Sequence, residues 1–396
     1  MIDRLDDRLL SFDRSRLHKL QTGNSLAGVL LNDFARLWAD AGDDVLAAVG
    51  RVGESGWYIL GSEVSGFESA LSSRMRRAAS VGCASGLDAI EIGLRALGLK
   101  DGDKVLTTPL SAFATTLAVV RAGGVPVFVD VDERGLLDLD LATEAISSDS
   151  SIRFLLPVHL YGSALDLEHL QSVRERFGLR LLEDCAQSIG ASHAGRVAGS
   201  VGEIAALSFY PTKNLGALGD GGAISADDPA LLEKCRVLRD YGQSSKYIHS
   251  ELGLNSRLDE LHAAVLLRAF LPRLDQWTAR RREIAHVYLD GMQSTLVRPL
   301  PVPAGASPAW HLFAVLVPDR RRDEFLAYLR DRGIQSAVHY PKLISDQQAL
   351  RKSPFEVFGA LSRATNFAEC EVSLPIHPYL TDAEVASVVD AVNSWR

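Results

Sequence analysis

The residues best suited to chemistry collect between about positions 83 and 225. In SFYPTKNLGALGDGGAIS, residues 208–225, Lys213 stands among small and glycine residues with no acid close by in sequence. A loop lysine is ordinarily solvated. Here strand-like AALSFYP precedes it, and Gly216, Gly219, Gly221 and Gly222 follow it, so the backbone can approach a ligand closely. Desolvated in such a pocket, an amine sheds its proton and attacks carbonyls, which is Schiff-base chemistry. Asp184, in LRLLEDCAQS, ends another strand-like run, where ligands of open parallel sheets bind. Taken alone it would more often cap the following helix.

A third group is the start of SGLDAIEIGLRALG, residues 85–98. Ser85 reads as an N-cap and Asp88 as a capping-box acid; Leu87, Ile90 and Leu94 form the apolar stripe and Gly98 the stop. Free amides at Gly86 and Leu87 make an anion site suited to a phosphate monoester, and the Ser208 hydroxyl can join them. Phe113, in TTPLSAFATT, follows a strand and is a candidate to stack on a flat ring, although a core aromatic is the ordinary reading there. An amine, an acid for a ring nitrogen, a phosphate cradle and a stacking face together match pyridoxal phosphate (PLP).

The elements that must position these groups are legible. From about residue 85 to 225 the apolar runs KVLTTP, VPVFVDVD, IRFLLPVHLYG, LRLLEDCA, AALSFYP and GGAISA alternate with helical patterns. That alternation predicts βαβ units and an α/β fold whose mostly parallel sheet is buried on both faces. A second helical pattern runs through about 258–291, with Pro272 marking a break. A proline-rich connector, PLPVPAGASPAW (299–310), leads into a smaller α+β unit. We expect an N-terminal arm at 1–45, a large domain at 46–270 and a small C-terminal domain at 271–396. The first 27 residues look amphipathic and are read as a frayed arm or an extension of a dimer contact.

Composition narrows the function. With 396 residues, 47% hydrophobic and a formal net charge of −8, the chain is that of an ordinary globular protein without a basic nucleic-acid footprint. Cys83, Cys185, Cys235 and Cys370 are scattered, with no zinc-site spacing, which predicts no metal and a reducing cytoplasm. No signal-like or membrane-length apolar run appears. Dinucleotide, P-loop, G-x-S-x-G and H-E-x-x-H signatures are missing. The cluster Arg280, Arg281 and Arg282 reads as a solvated helix face.

The longer motifs carry a resemblance. SGWYILGSEVSGFE (55–68), CASGLDAIEIGLRALGL (83–99), SAFATTLAVVRAGGVPVFVDVD (111–132), PVHLYGSALDLEHL (157–170), LLEDCAQSIGA (181–191), SFYPTKNLGALGDGGAI (208–224), LGLNSRLDELHAAVL (252–266), HYPKL and SLPIHPYLTDAEV occur in one order. In these the chain, from about residue 28 on, resembles the sugar-nucleotide aminotransferase family (DegT/DnrJ/StrS-like) of fold-type-I PLP enzymes. The resemblance implies that Lys213 is the Schiff-base lysine and proton shuttle, Asp184 the partner of the pyridine nitrogen, and Gln187 the contact to the ring hydroxyl. It implies a phosphate site at Ser208 and the amides of Gly86 and Leu87, with Phe113 stacked on the cofactor. Asn255 would reach the phosphate of a neighbouring subunit, making a homodimer with composite sites. His339 and Tyr340 of HYPKL are candidate substrate contacts from the small domain, although His339, like His377, reads first as a structural histidine.

The expected reaction moves an amino group from L-glutamate, leaving 2-oxoglutarate, to a keto sugar carried on a nucleotide. SGWYILG and SGLDA resemble members acting at C3 of a dTDP-linked 6-deoxy sugar. Amination at C4 of a UDP- or dTDP-4-keto sugar, and a catalytically silent PLP-binding regulator, are the alternatives. Leu87 stands where many members have threonine, Ser163 follows HLYG where glutamine is common, and Lys213 argues against the dehydratases that carry histidine there.

Overall fold

The computed structural model describes residues 28–396, so the reading of the first 27 lies outside the described residues. Helices α1 (Phe34–Ser55) and α2 (Ser62–Met75) precede β1 (Ala79–Cys83). There follow α3 (Gly86–Ala96), β2 (Lys104–Thr107), α4 (Phe113–Arg121), β3 (Val125–Phe128), α5 (Leu139–Ser148), β4 (Ile152–Leu155), α6 (Leu167–Phe177) and β5 (Arg180–Asp184). Short strands β6 (Ser192–His193) and β7 (Arg196–Val197) form a ribbon before β8 (Ile204–Ser208), β9 (Gly222–Ala226) and α7 (Pro229–Arg239). After a hairpin of β10 (Gln243–Ser245) and β11 (Ile248–His249) come α8 (Glu260–Val265) and α9 (Leu274–Gly291). The last part holds β12 (Arg298–Pro299), β13 (Ala306–Ser307), β14 (Phe313–Leu316), α10 (Arg322–Asp331), β15 (Glu356–Val357), α11 (Ser362–Cys370), β16 (Glu371–Leu374) and α12 (Asp382–Ser394).

The central sheet has eight strands in the order β1-β9-β8-β5-β4-β2-β3-β15. Every pair from β8 to β15 is parallel, and β9 runs against both its neighbours. Successive residues of one strand feed opposite cores: Val105 and Leu182 pack on one face, Leu106 and Leu181 on the other. Burial on both faces is what made these strands read as unbroken apolar runs. β1 (ASVGC) was not among the strands expected; its alternation of small residues gives little signal.

The break expected at Pro272 is present. The helical course passes through a π turn at Leu266–Phe270 and a 3-10 turn at Leu271–Arg273 before α9 begins. Proline lacks an amide hydrogen and cannot continue a regular ladder. The C-terminal unit packs α9, α10 and α12 on the antiparallel sheet β12-β14-β16 around Phe313, Val315, Val372 and Leu374. Two features cross the expected boundaries. Helix α1 runs unbroken through residue 45 and buries Ala41, Val45 and Val52 in the same core as α2. Strand β15 leaves the C-terminal unit to pair with β3 at the edge of the large sheet, where Lys104 Nζ meets Glu356 at 2.7 Å and Asp149 at 2.8 Å.

Candidate active site

A cleft of about 390 Å³ opens at the carboxyl ends of the central strands. Of the residues singled out from sequence, Gly86, Leu87, Asp184, Gln187, Ser208, Lys213, His339 and Tyr340 line it.

Lys213 sits in the connection between β8 and β9. That loop folds back on itself through hydrogen bonds from Phe209 N to Gly221 O (2.7 Å), Ala217 N to Phe209 O (2.7 Å) and Lys213 N to Tyr210 O (2.8 Å). At Gly216 a Cβ would lie 2.3 Å from Pro211 O, so the turn requires glycine. The lysine side chain is partly covered, and its amine has no hydrogen-bond partner among the described residues. Burial pulls its pKa down from 10.5 to about 8, against the opposing attraction of Asp184.

Asp184 closes β5 and is almost wholly buried. Its Oδ2 accepts from Thr115 Oγ1 at 2.8 Å and its Oδ1 from Ala186 N at 3.0 Å. Burial raises its pKa, opposed by those two donors and by the charges of Lys213 and His159. Beside it, burial would also raise the Glu183 carboxyl, but hydrogen bonds from His159 (2.8 Å) and from the amides of Val201 and Gly202 outweigh that and hold it low. His159, Glu183 and Cys185 lie close enough together to suggest a metal. The His159 ring is already engaged at both nitrogens, accepting at Nδ1 from Leu165 N, so its Nε2 donates to Glu183.

At the start of α3, Ser85 Oγ accepts from Asp88 N at 3.1 Å and Ser85 O from Ala89 N at 3.0 Å. The amides of Gly86 and Leu87 have no partner among the described residues, and the Ser208 side chain stands over them. The fit is tight: a Cβ on Gly86 would come within 2.6 Å of Ser208 Cβ, and one on Gly222 within 2.3 Å of Ser85 O. Only the Ser85 half of the expected capping box forms. Asp88 turns its carboxylate to Ser256 Oγ at 2.8 Å and to Arg121 at 3.5 Å.

Gln187 bridges the two units. Its Oε1 accepts from Tyr161 N at 2.7 Å and its Nε2 donates to Tyr340 Oη at 3.1 Å. Tyr161 Oη in turn donates to His339 O at 2.6 Å. His311, buried and pushed well below its ordinary pKa by burial and by Lys213, also faces the cleft.

Phe113 does not line the cleft; it packs beside Phe128, Ile344 and Leu350. Phe113 opens α4, and its neighbours Ala112, Ala114 and Thr115 are the ones facing the cleft, so the ring falls on the core side as an ordinary core aromatic. Asn255 is exposed and absent from its own chain's cleft; its Oδ1 accepts from Arg257 at 2.9 Å. Arg281 corrects the reading of a solvated basic face. It is buried and spends its guanidinium on the carbonyls of Trp310, His311 and Ile376. Sequence reasoning missed Thr115, Tyr161 and His311, because the cue for each is a contact made only after folding.

An amine whose proton burial loosens, facing a strand-end carboxyl beside an open helix N-terminus, suits a PLP enzyme of the aminotransferase kind. The chain belongs to the DegT/DnrJ/EryC1/StrS aminotransferase family, whose model matches residues 39–393. It is 44% identical over 352 residues to the dTDP-3-amino-3,4,6-trideoxy-alpha-D-glucose transaminase of Streptomyces venezuelae, covering 88% of this chain and 91% of that one. It is 37% identical over 364 residues to a pleiotropic regulatory protein of Geobacillus stearothermophilus, covering 91% and 96%. The crystal structure of S. venezuelae DesV in complex with a ketimine intermediate superposes with a TM-score of 0.88 at 40% identity, over 93% of this chain and 98% of that. The family's aminotransferases use PLP, and the donor set described above fits that cofactor: a free amine, a buried acid and a glycine-floored phosphate cradle. Among the described residues no helix is long and apolar enough to cross a membrane.

Proposed function

We propose that this aminotransferase takes its amino group from glutamate and delivers it to C3 of a dTDP-linked 3-keto-6-deoxyhexose. The observation that carries the reading is Lys213: an unpaired amine whose pKa is lowered to about 8, set in the same cleft as buried Asp184 and the free amides of Gly86 and Leu87. The regiochemistry leans on the 44% identity to a relative named for a dTDP-3-amino sugar.

Bound in the cleft, PLP supplies a carbonyl for imine formation and an electron sink for the carbanion. The chain's own groups do the rest. Lys213, able to gain or lose a proton near neutral pH, takes and returns the proton at the reacting carbons. Asp184, fixed by Thr115 and Ala186, supplies a carboxylate for a cationic ring nitrogen. Gln187, held by Tyr161 N, presents its amide to the ring hydroxyl. Ser208 and the amides of Gly86 and Leu87 hold the phosphate. His339 and Tyr340 meet the sugar from the C-terminal unit.

A homodimer with Asn255 serving the partner's cleft follows from the same reading. Its support is a set of exposed apolar side chains: Trp57, Tyr58 and Ile59, with Tyr247, Ile248 and Leu252 in and beside the β10–β11 hairpin, are all exposed, Leu252 at 92%. The acidic composition and scattered free thiols accord with a cytoplasmic setting.

Purified enzyme given glutamate and either dTDP-3-keto or dTDP-4-keto sugar tests the regiochemistry. The 3-keto compound is expected to turn over, and turnover of the 4-keto compound alone overturns the choice. A silent regulator is the second reading, favoured by the name of the Geobacillus relative. Exchange of label between glutamate and 2-oxoglutarate separates the two, since a silent protein exchanges none.

A further inference from the structure

His339 lines the cleft, yet two of its polar atoms are engaged behind the site. Its Nδ1 lies 2.9 Å from Ser373 Oγ, and its peptide N donates to Glu371 Oε2 at 2.5 Å. Ser373 Oγ lies 2.5 Å from the other oxygen of the same carboxyl, Glu371 Oε1. Glu371 and Ser373 are fully buried on β16, one residue apart on the same face of the strand. Of the His339 ring atoms, Nε2 is left without a partner among the described residues.

The chain of contacts can carry its protons in two ways. With Glu371 ionised, Ser373 donates to the carboxylate, so its oxygen must accept from His339 Nδ1–H, and Nε2 holds a lone pair. With Glu371 protonated at Oε1, that proton donates to Ser373, Ser373 donates to Nδ1, and the ring proton stands on Nε2. Oε2 accepts from the His339 amide in both states. The states differ by one proton, taken up from the cleft at Nε2 as the others each move one place, so the balance closes.

We propose that Glu371 and Ser373 act as positioning residues that set the tautomer of His339, which donates from Nε2 to a substrate oxygen when Glu371 is protonated and only accepts when it is ionised. The inference rests on the aminotransferase reading for the identity of that oxygen, a phosphate or sugar oxygen of the nucleotide-linked substrate. The surroundings make the switch usable. Burial lifts the Glu371 carboxyl to about 8, opposed by its bonds from Ser373 and His339 and by the charge of Arg322 on α10; Tyr161 and Tyr340 are the other titratable groups facing it. Burial and the facing Lys213 hold His339 itself neutral, down to about 4, with His311 and Tyr340 as its other titratable neighbours, so the ring changes tautomer and not charge across this range.

The test is histidine-selective 15N NMR of the PLP-loaded enzyme between pH 6.5 and 9.5, with His339→Gln assigning the signal. In the wild type, Nε2 is expected to pass from protonated to unprotonated as pH rises through about 8. Glu371→Gln, whose amide oxygen accepts from the His339 N–H so that its NH2 faces and donates to Ser373, should hold Nε2–H at every pH. Ser373→Ala should abolish the pH response and Ser373→Thr, which keeps the hydroxyl, should restore it, so the proposal survives a folding failure of either variant class. A single tautomer throughout in the wild type, or an unchanged transition in Glu371→Gln, overturns it. In turnover, the wild-type KM for keto sugar should rise about tenfold through this range relative to Glu371→Gln, with kcat moving in parallel in the two; a KM ratio that stays flat equally overturns it. The NMR result needs no turnover, so a wrong substrate assignment would leave it standing and be recognised separately.

Discussion

At the scale of single residues, the site is held in a condition that suits reaction better than stability. The folded pKa of Lys213, about 8, lies below the 10.5 of a free lysine, so the unfolded chain binds the proton more tightly. The resulting penalty is complete below pH 8, shrinks between 8 and 10.5, and is gone above. Lys213→Met should therefore stabilise the cofactor-free protein at pH 7 by about 1–3 kcal/mol, and by little at pH 10.5, in urea unfolding at the two pH values. A variant no more stable at pH 7 would show that the amine is solvated. Thr115 offers a second check. Removing its hydroxyl deprives ionised Asp184 of a donor, so Thr115→Val should push the carboxyl further up. The acid limb of the pH–rate profile should move to higher pH, with a loss of about tenfold in kcat/KM, the worth of roughly one hydrogen bond. An unmoved limb would mean that Asp184 does not govern it.

At the scale of elements, the cleft is made by strand ends and one helix start that close approach brings together. Gly86→Ala would drive a Cβ into Ser208, and one of the two must shift. We expect weaker PLP binding, by about tenfold in an absorbance titration, with a stability loss of about 1–3 kcal/mol; unchanged affinity would place the phosphate elsewhere. These elements were the most legible part of the sequence. β2, β3, β4, β5, β8 and β9 announced themselves because strands buried on both faces must be apolar throughout. Ser85 announced α3 because capping is a local bond, whereas Asp88 misled because its carboxylate found a distant partner in Ser256. Phe113 misled for a different reason: its type was right for stacking, but the rotation of α4 turns Ala112, Ala114 and Thr115 to the cleft and leaves Phe113 off it. The relay through Ser373 and Glu371 had no local signal at all, being assembled from residues over thirty positions from His339.

At the scale of the whole molecule, the composite-site reading predicts that the exposed apolar side chains of Trp57 and Leu252 are covered in solution. Sedimentation should give a dimer, and Asn255→Ala should weaken PLP binding without dissociating it; a monomer that binds PLP at full strength would refute the arrangement. The sheet itself carries a different consequence. Its outermost strand, β15, is supplied by residues 356–357 and clasped by Lys104, while the strand it covers, β3, ends at Phe128. On a ribosome adding about 5–20 residues each second, more than two hundred residues must emerge after β3 before its flank can be sealed, an interval on the order of 10–40 s. Throughout that time a growing polypeptide exposes a bare row of amides and carbonyls, and any chain interrupted before position 356 keeps it for good.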